Sequence, residues 1–127
     1  MAGYHVIVWI DHHKAVVWHF AFDAQSKTVV KAHNQREHTH LRKSPHGGHR
    51  APEDLEFFAG VAAVLADARE ILLIGPAQAK DEFVAFLRHK HPAVGSRVVA
   101  VETADHPTDA ELLAYARRHF KALDRML

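Results

Sequence analysis

The amino-acid sequence predicts an α/β domain built on a mixed five-stranded sheet. Three short apolar segments separated by short polar breaks open the chain, a long polar stretch without a hydrophobic period follows, and helices then alternate with two short buried strands. The chain has 127 residues, the usual length of one domain, and a domain of this size buries roughly two-thirds of its unfolded surface. We therefore expect a single domain over residues 1–127.

The first three strands are expected to form an antiparallel meander. Residues 4–10 read YHVIVWI, with apolar side chains at both parities, as in a strand buried on both faces. The second strand, residues 15–22, places Val16, Trp18, Phe20 and Phe22 on one face, and the third covers residues 27–33. The polar breaks between the strands are only four residues long, so consecutive strands are expected to pair.

Helices and strands alternate in the second half of the chain. Pro52 suits the first position of a helix that runs to about Ala68. A short strand at 71–74 precedes a helix that stops at His91-Pro92, and another strand spans 97–101. Helical spacing predicts the inward-facing residues of these two helices: Leu55, Phe58, Ala62, Leu65, Phe83, Phe86 and Leu87.

A capping box begins the last helix. Thr108 precedes Glu111 by three residues, so each side chain can accept a hydrogen bond from the backbone N–H of the other residue. The apolar stripe of this helix is predicted from its spacing: Leu112, Ala116, Phe120, Leu123 and Leu127. The resulting order, β-β-β-α-β-α-β-α, is that of the ribonuclease-H-like fold.

The overall composition excludes several classes of protein. Sixteen Lys and Arg face fifteen Asp and Glu, so the net charge of the whole molecule gives no argument for nucleic acid. Cysteine is absent, which excludes a disulfide framework and a thiol nucleophile. No signal segment is visible, and no run approaches the roughly 20 apolar residues of a membrane span. We expect a cytoplasmic protein with no membrane partner and no cofactor.

Residues 35–52, QREHTHLRKSPHGGHRAP, form a long loop that is basic and rich in histidine. One acid, Glu37, faces four cations, and such a local patch suits RNA phosphates, while histidine can stack on unpaired bases. An isolated charge run is more often a solvated surface. The adjacent Gly47 and Gly48 favour a function, because they let the backbone approach another surface closely. The candidate RNA contacts are Arg36, Arg42, Lys43, His46 and Arg50.

The sequence does not favour a metal enzyme or a serine hydrolase. A two-metal nuclease of this fold needs a carboxylate where the fourth strand ends, and Gly75-Pro76 stands there. Asp11 is therefore interpreted as a turn residue. Ser44 lacks a strand-turn-helix elbow, and the segment from Gly75 to Lys80 lacks the glycines of a phosphate loop, which leaves it as a strand-to-helix turn.

The histidines do not have the spacing of a metal site. No two loop histidines are four residues apart on a predicted helix, and no cysteine accompanies them, so we expect no bound metal. The loop histidines are His38, His40, His46 and His49. Outside the loop, His5, His19 and His119 are expected on partly exposed faces of their elements.

From Tyr4 to about Phe120 the chain resembles the central domain of archaeal and eukaryotic class-one peptide-chain release factors and their bacterial relatives. Gly47-Gly48-His49 stands where that family has Gly-Gly-Gln, after a three-strand meander and before a helix. Gly75 and Lys80 match the family's Gly-x-x-x-x-Lys turn, and residues 98–120, VVAVETADHPTDAELLAYARRHF, close the match. The resemblance covers nearly the whole chain.

The resemblance implies a loop that enters the ribosomal peptidyl transferase centre. In the family the glycines permit a tight backbone fit and the Gln side chain helps to place the hydrolytic water. Because position 49 is His, we expect a noncatalytic factor bound to the ribosome or to tRNA, in rescue, hibernation or quality control. The family's other domains have no room in 127 residues, so stop-codon recognition by this chain alone is not expected.

Two alternatives stay open from the sequence. The first is a peptidyl-tRNA or tRNA-end hydrolase that uses His49 as a general base. The second is a metal-responsive or protein-interaction module that uses the histidine-rich loop. A DNA partner is not expected, and an edge strand of the meander leaves pairing into a homo-oligomer open.

Overall fold

A five-stranded sheet with helices on both faces organises the chain. The computed structural model describes residues 4–21, 24–32 and 52–125, apart from the side chains of residues 52–54 and 121–125. The elements are β1 (Tyr4–Ile10), β2 (Lys14–Phe20), β3 (Gln25–Lys31), α1 (Pro52–Val64), β4 (Ala68–Gly75), α2 (Ala79–Lys90), α3 (Pro92–Gly95), β5 (Val98–Thr103) and α4 (Asp109–Arg125).

The strand order is β3-β2-β1-β4-β5. β2 pairs antiparallel with both β1 and β3, whereas β4 pairs parallel with both β1 and β5. The mixed five-stranded sheet and its opening meander are therefore confirmed. Because β1, β3, β4 and β5 all run in one direction, their C-terminal ends meet at one side of the sheet, which we call the carboxyl edge.

The core has two layers because β1 is buried on both faces. Val6, Val8 and Ile10 contact the layer that contains α1 and α2, and Ile7 and Trp9 contact the layer that contains α4. The apolar run at 4–10 predicted this arrangement.

Aromatic side chains join α1 to α2 in the first layer. The ring of Phe58 lies 5.3 Å from that of Phe83 and 5.5 Å from that of Phe86, between centroids and at inclined angles. These distances are typical of favourable aromatic pairs. The predicted inward positions of α1 and α2 are confirmed except for Leu55, which is 39% exposed.

The capping box at the start of α4 is also confirmed. Thr108 N–H donates to Glu111 Oε1 at 2.9 Å, and Glu111 N–H donates to Thr108 Oγ1 at 3.1 Å. Leu112, Ala116 and Phe120 are buried beneath the helix as predicted. The other two predicted stripe positions, Leu123 and Leu127, lie outside the described side chains.

Tyr115 of α4 is held to β5. Its hydroxyl donates to the Glu102 carboxylate. Burial and this hydrogen bond to a carboxylate raise the pKa of Tyr115 to about 12. The phenol therefore remains a hydrogen-bond donor to β5 throughout the neutral range.

Several element bounds differ from the prediction, among them those of β3, which spans Gln25–Lys31 rather than 27–33. α1 ends at Val64 rather than near Ala68, because Ala68 pairs with Tyr4 as the first residue of β4. The Ala68 carbonyl also accepts a hydrogen bond from Arg97 Nη1 at 3.0 Å. The short helix α3 was not predicted, and it begins at Pro92, the residue expected only to stop α2.

The expected exposure of His19 was wrong. This residue is 9% exposed, and its Nε2 lies 3.1 Å from the Val64 carbonyl oxygen and 3.5 Å from Asp67 Oδ1. The alternation of β2 explains the burial, because His19 shares a face with Ala15 and Val17, which lie beneath the α1 layer. His5 and His119 are partly exposed, as predicted.

No helix in the described ranges is both long enough and apolar enough to cross a bilayer.

Candidate functional site

The loop residues that the sequence singles out lie outside the described residues: Gly47, Gly48, His49, Arg36, Arg42, Lys43, His46 and Arg50. The chain segments that lead into and out of the loop are described, and both lie at the carboxyl edge. β3 ends at this edge. α1 ends near the opposite edge of the sheet, where the Tyr4 N–H donates to the Asp67 carbonyl oxygen at 3.2 Å. The first residue of α1, Pro52, therefore lies toward the carboxyl edge.

The segment that leads into the loop is tied to the β1–β2 turn. Asp11 Oδ1 accepts hydrogen bonds from the backbone N–H groups of His13 at 2.7 Å and Lys14 at 2.9 Å. The predicted role of Asp11 as a turn residue is therefore confirmed. The His13 carbonyl in turn accepts a hydrogen bond from the Ala32 N–H at 2.8 Å, which fixes the end of β3.

The helix that follows the loop packs directly on the strand that precedes it. Gly60 of α1 lies over Val30 of β3, and a Cβ built on the glycine would be in ordinary contact with Val30 Cγ1, at 3.6 Å. Phe57 and Phe58 bury the same helix in the core. Both sides of the loop are thus held by one strand–helix contact.

Gly75 brings the ends of the parallel strands together. A Cβ built on this residue would lie 2.3 Å from the Ile10 carbonyl oxygen, a distance that no real side chain adopts. The Gly75 carbonyl accepts a hydrogen bond from the Ala104 N–H at 3.0 Å. Only glycine permits this approach of β4 to β1, and β5 is fastened to the same point.

Lys80 closes the turn after β4 from the inside. The side chain is almost fully buried, and its Nζ donates to the Ala77 carbonyl at 2.5 Å and to Asp81 Oδ2 at 3.4 Å. A buried ammonium needs such partners, because it has lost its hydration. The prediction of a strand-to-helix turn between Gly75 and Lys80 is confirmed, and the lysine stabilises the turn rather than facing a ligand.

Side chains that sequence reasoning did not single out join β1 to the segment after β5. The Trp9 indole N–H donates to the Asp105 carbonyl at 3.0 Å, and the ring of His106 packs 5.1 Å from the Trp9 ring. His106 Nδ1 lies 3.1 Å from Asp105 Oδ1, and its Nε2 lies 4.0 Å from Asp11 Oδ2. No sequence spacing links residues so distant along the chain, so only the fold brings them together.

These contacts join the strand ends and turns of the carboxyl edge to one another. A further contact, between His12 Nε2 and Glu82 Oε1 at 3.3 Å, ties the β1–β2 turn to α2. Within the described ranges, no group of three or more His, Cys, Asp or Glu side chains could hold a metal ion. In doubly wound sheets, ligand-binding segments lie at this same edge of the parallel strands.

Comparisons with known proteins agree with this architecture. No protein-family model matches the sequence. One curated relative, the protein pelota homolog of Methanocella arvoryzae, is 46% identical over 52 residues, which are 39% of this chain and 15% of the relative.

Solved structures are similar over almost the whole chain. Pelota of Archaeoglobus fulgidus superposes with a TM-score of 0.64 at 18% identity, over 94% of this chain and 32% of that protein. For Pelota of Thermoplasma acidophilum the TM-score is 0.63 at 13% identity, over 90% and 32%. For the archaeal translation termination factor aRF1 it is 0.58 at 14% identity, over 97% and 39%.

The chain therefore has a release-factor-like fold, and the predicted ribonuclease-H-like architecture is confirmed. It spans about one third of the length of the two Pelota structures.

Proposed function

We propose that this protein is a ribosome-associated translation factor that acts through the loop at residues 35–52, in rescue, hibernation or quality control. The observation that carries the proposal is the likeness of nearly the whole chain to a protein named as a translation termination factor, aRF1, and to two Pelota proteins. The local sequence similarity to a pelota homolog points the same way.

The carboxyl edge supports a role for the loop. Contacts made by Asp11, Ala32 and Gly60 hold the segments on either side of it, and Gly75 and Trp9 join the neighbouring strand ends. Because these neighbouring segments are already fixed, they lose little conformational entropy when the loop binds a partner. We infer that the packed domain serves to present the loop to RNA.

The composition of the loop suits an RNA site in the ribosome or on tRNA. Four cations face one acid in residues 35–52, and each phosphate contact adds affinity without sequence selectivity. The proposed phosphate ligands are Arg36, Arg42, Lys43 and Arg50, and His46 is proposed to stack on a base. Gly47 and Gly48 would let the backbone enter a narrow RNA pocket, which the resemblance to release factors identifies as the peptidyl transferase centre.

We propose that the protein does not hydrolyse peptidyl-tRNA. His49 occupies the position where release factors carry Gln, and a neutral imidazole has one N–H donor and one nitrogen acceptor, whose hydrogen bonds diverge in the plane of the ring. It cannot reproduce the adjacent carbonyl and amino groups of a carboxamide. The loop would then occupy the active centre without placing a water for attack.

Ribosome co-sedimentation of a Gly47→Ala, Gly48→Ala, His49→Ala variant tests the proposal. We expect the native protein to sediment with ribosomes, and the variant to bind about tenfold more weakly, a loss of ~1.4 kcal/mol. Thermal unfolding of both proteins is measured in parallel, so that a loss of binding is not mistaken for a loss of folding.

Peptidyl-tRNA release, measured on the same ribosomes, tests the noncatalytic part. We expect no release by either protein over a broad pH range. Release by the native protein that His49→Ala abolishes would establish the hydrolase instead. Equal sedimentation of the native and triple-variant proteins would show that the loop is not the point of contact.

A further inference from the structure

One face of β2 and β3 is only partly covered, because Val16, Trp18 and Phe20 pack against the core cluster of α4 and remain partly exposed. In β2, Ala15 and Val17 are buried beneath the α1 layer, so the alternate residues point to the opposite face. The pairing of β2 with β3 sets four residues of each strand side by side there. We call this surface the β2–β3 face, and it consists of Lys14, Val16, Trp18, Phe20, Gln25, Lys27, Val29 and Lys31.

Aromatic and aliphatic side chains form the centre of the β2–β3 face. Trp18 and Phe20 are only partly buried, and their rings are nearly parallel, with centroids 6.5 Å apart and planes inclined by 19°. Val29, on the edge strand, is 44% exposed. An exposed apolar strip flanked by polar groups is typical of a binding surface rather than of a solvated face.

Lysines border this apolar centre. Lys14 and Lys31 lie directly opposite each other across the strand pair, and both are exposed. Like charges in this position destabilise a sheet, and neither lysine has a carboxylate partner among the described residues. A bound anion would relieve this repulsion.

The third lysine lies beside the indole. Lys27 Nζ is 5.9 Å from the centre of the Trp18 ring and pairs with Asp109 Oδ2 at 2.6 Å. The ion pair holds this side chain over one part of the ring. The face therefore combines a stacking surface with two cations at its end that have no carboxylate partner in the described part of the chain.

We propose that the β2–β3 face binds single-stranded RNA. Unpaired bases stack on Trp18 and Phe20, and the phosphates are held by Lys14 and Lys31. An apolar protein partner would bury the two lysines without compensation, whereas a phosphate backbone neutralises both. Lys14 and Lys31 also lie at the carboxyl edge, so a bound strand would run toward the attachment of the loop. The site needs no ribosome, and its test is independent of the proposed function.

Tryptophan fluorescence, measured while an unlabelled oligouridylate of about ten nucleotides is added, tests this site. The chain has two tryptophans, and Trp9 is only 3% exposed, so quenching on titration reports Trp18. We expect quenching that weakens with salt. Lys14→Gln with Lys31→Gln should reduce the slope of log K against log salt by about 1.4, the contribution of two single-strand phosphate contacts.

Matched variants separate this site from general charge and from the loop. Arg88→Gln with Lys90→Gln removes the same charge from exposed positions of α2 and should leave binding unchanged. Trp18→Ala should weaken binding roughly tenfold, whereas Trp18→Phe should keep most of the affinity. Because both variants lack the Trp18 fluorescence, their binding is measured by the anisotropy of a labelled oligonucleotide. The Arg42, Lys43 and Arg50 to Gln variant should retain the quenching.

Three results would overturn the proposal. The first is a native protein that shows neither quenching nor binding. The second is an equal salt dependence of the Lys14/Lys31 and Arg88/Lys90 variants. The third is a loss of quenching in the loop variant while the Lys14/Lys31 variant keeps it. Circular dichroism of each variant verifies that the sheet is intact before the comparison is made.

Discussion

Gly75→Ala is expected to lower the free energy of unfolding by about 3 kcal/mol, the upper part of the range for forcing extra volume into a packed core. The added Cβ would lie 2.3 Å from the Ile10 carbonyl oxygen. That oxygen belongs to the backbone of the central strand, which is buried on both faces and cannot move aside as a flexible side chain would. The midpoint of urea unfolding, at an unchanged slope, measures the loss.

Gly60→Ala is the matched control for this substitution. A Cβ at that position would meet Val30 Cγ1 at 3.6 Å, an ordinary contact. Gly60 lies inside α1, where alanine is favoured over glycine by about 1 kcal/mol, so this variant should be at least as stable as the native protein. If the two variants unfold at the same urea concentration, the close approach of β4 to β1 does not exist.

Replacement of Arg42, Lys43 and Arg50 by Gln is expected to have the largest effect on ribosome binding. Each phosphate contact contributes about 0.7 to 0.9 to the slope of log K against log salt, so three contacts contribute roughly 2 to 3. Between 50 and 200 mM salt these contacts alone should change the affinity of the native protein roughly 20- to 40-fold. Co-sedimentation over this salt range, with native and substituted proteins side by side, measures the difference.

The Arg88→Gln, Lys90→Gln variant serves again as the control for lost surface charge, and it removes two charges where the loop variant removes three. Both residues are exposed in the last turn of α2, which ends at the edge of the sheet opposite the carboxyl edge. Its salt dependence should equal that of the native protein. Ribosome binding that responds neither to salt nor to the loop substitutions would contradict an electrostatic contact through the loop.

Much of the fold could be predicted because single segments specify it. The apolar run of β1 indicated a strand buried on both faces, and Thr108 with Glu111 indicated the start of α4. The errors occurred where residues distant along the chain determine the pairing or the burial of a residue. Ala68 continues a helical pattern, and it joins the sheet because Tyr4 is available to pair with it. His19 is polar, and the packing of α1 on β2 buries it.

The candidate site divides in the same way. The sequence predicts a loop at residues 35–52 from a break in hydrophobic period with two glycines and a cluster of cations, and this stays a prediction. The contacts at the carboxyl edge could not be predicted, because those of Trp9 with Asp105 and of Gly75 with Ile10 join residues more than sixty positions apart. The exposed lysines of the β2–β3 face became a surface only once the register of β2 and β3 was known.

Site-specific crosslinking tests the central claim, that the loop contacts ribosomal RNA, most directly. The chain contains no cysteine, so Ser44→Cys gives one attachment point inside the loop. Ser96→Cys gives a control at an exposed position before β5, at the opposite edge of the sheet. With a photoreactive group on each cysteine, we expect position 44 to crosslink to large-subunit RNA of the peptidyl transferase centre and position 96 to give no crosslink there. Equal labelling from both positions, or crosslinks from position 44 only to other parts of the ribosome, would contradict the account.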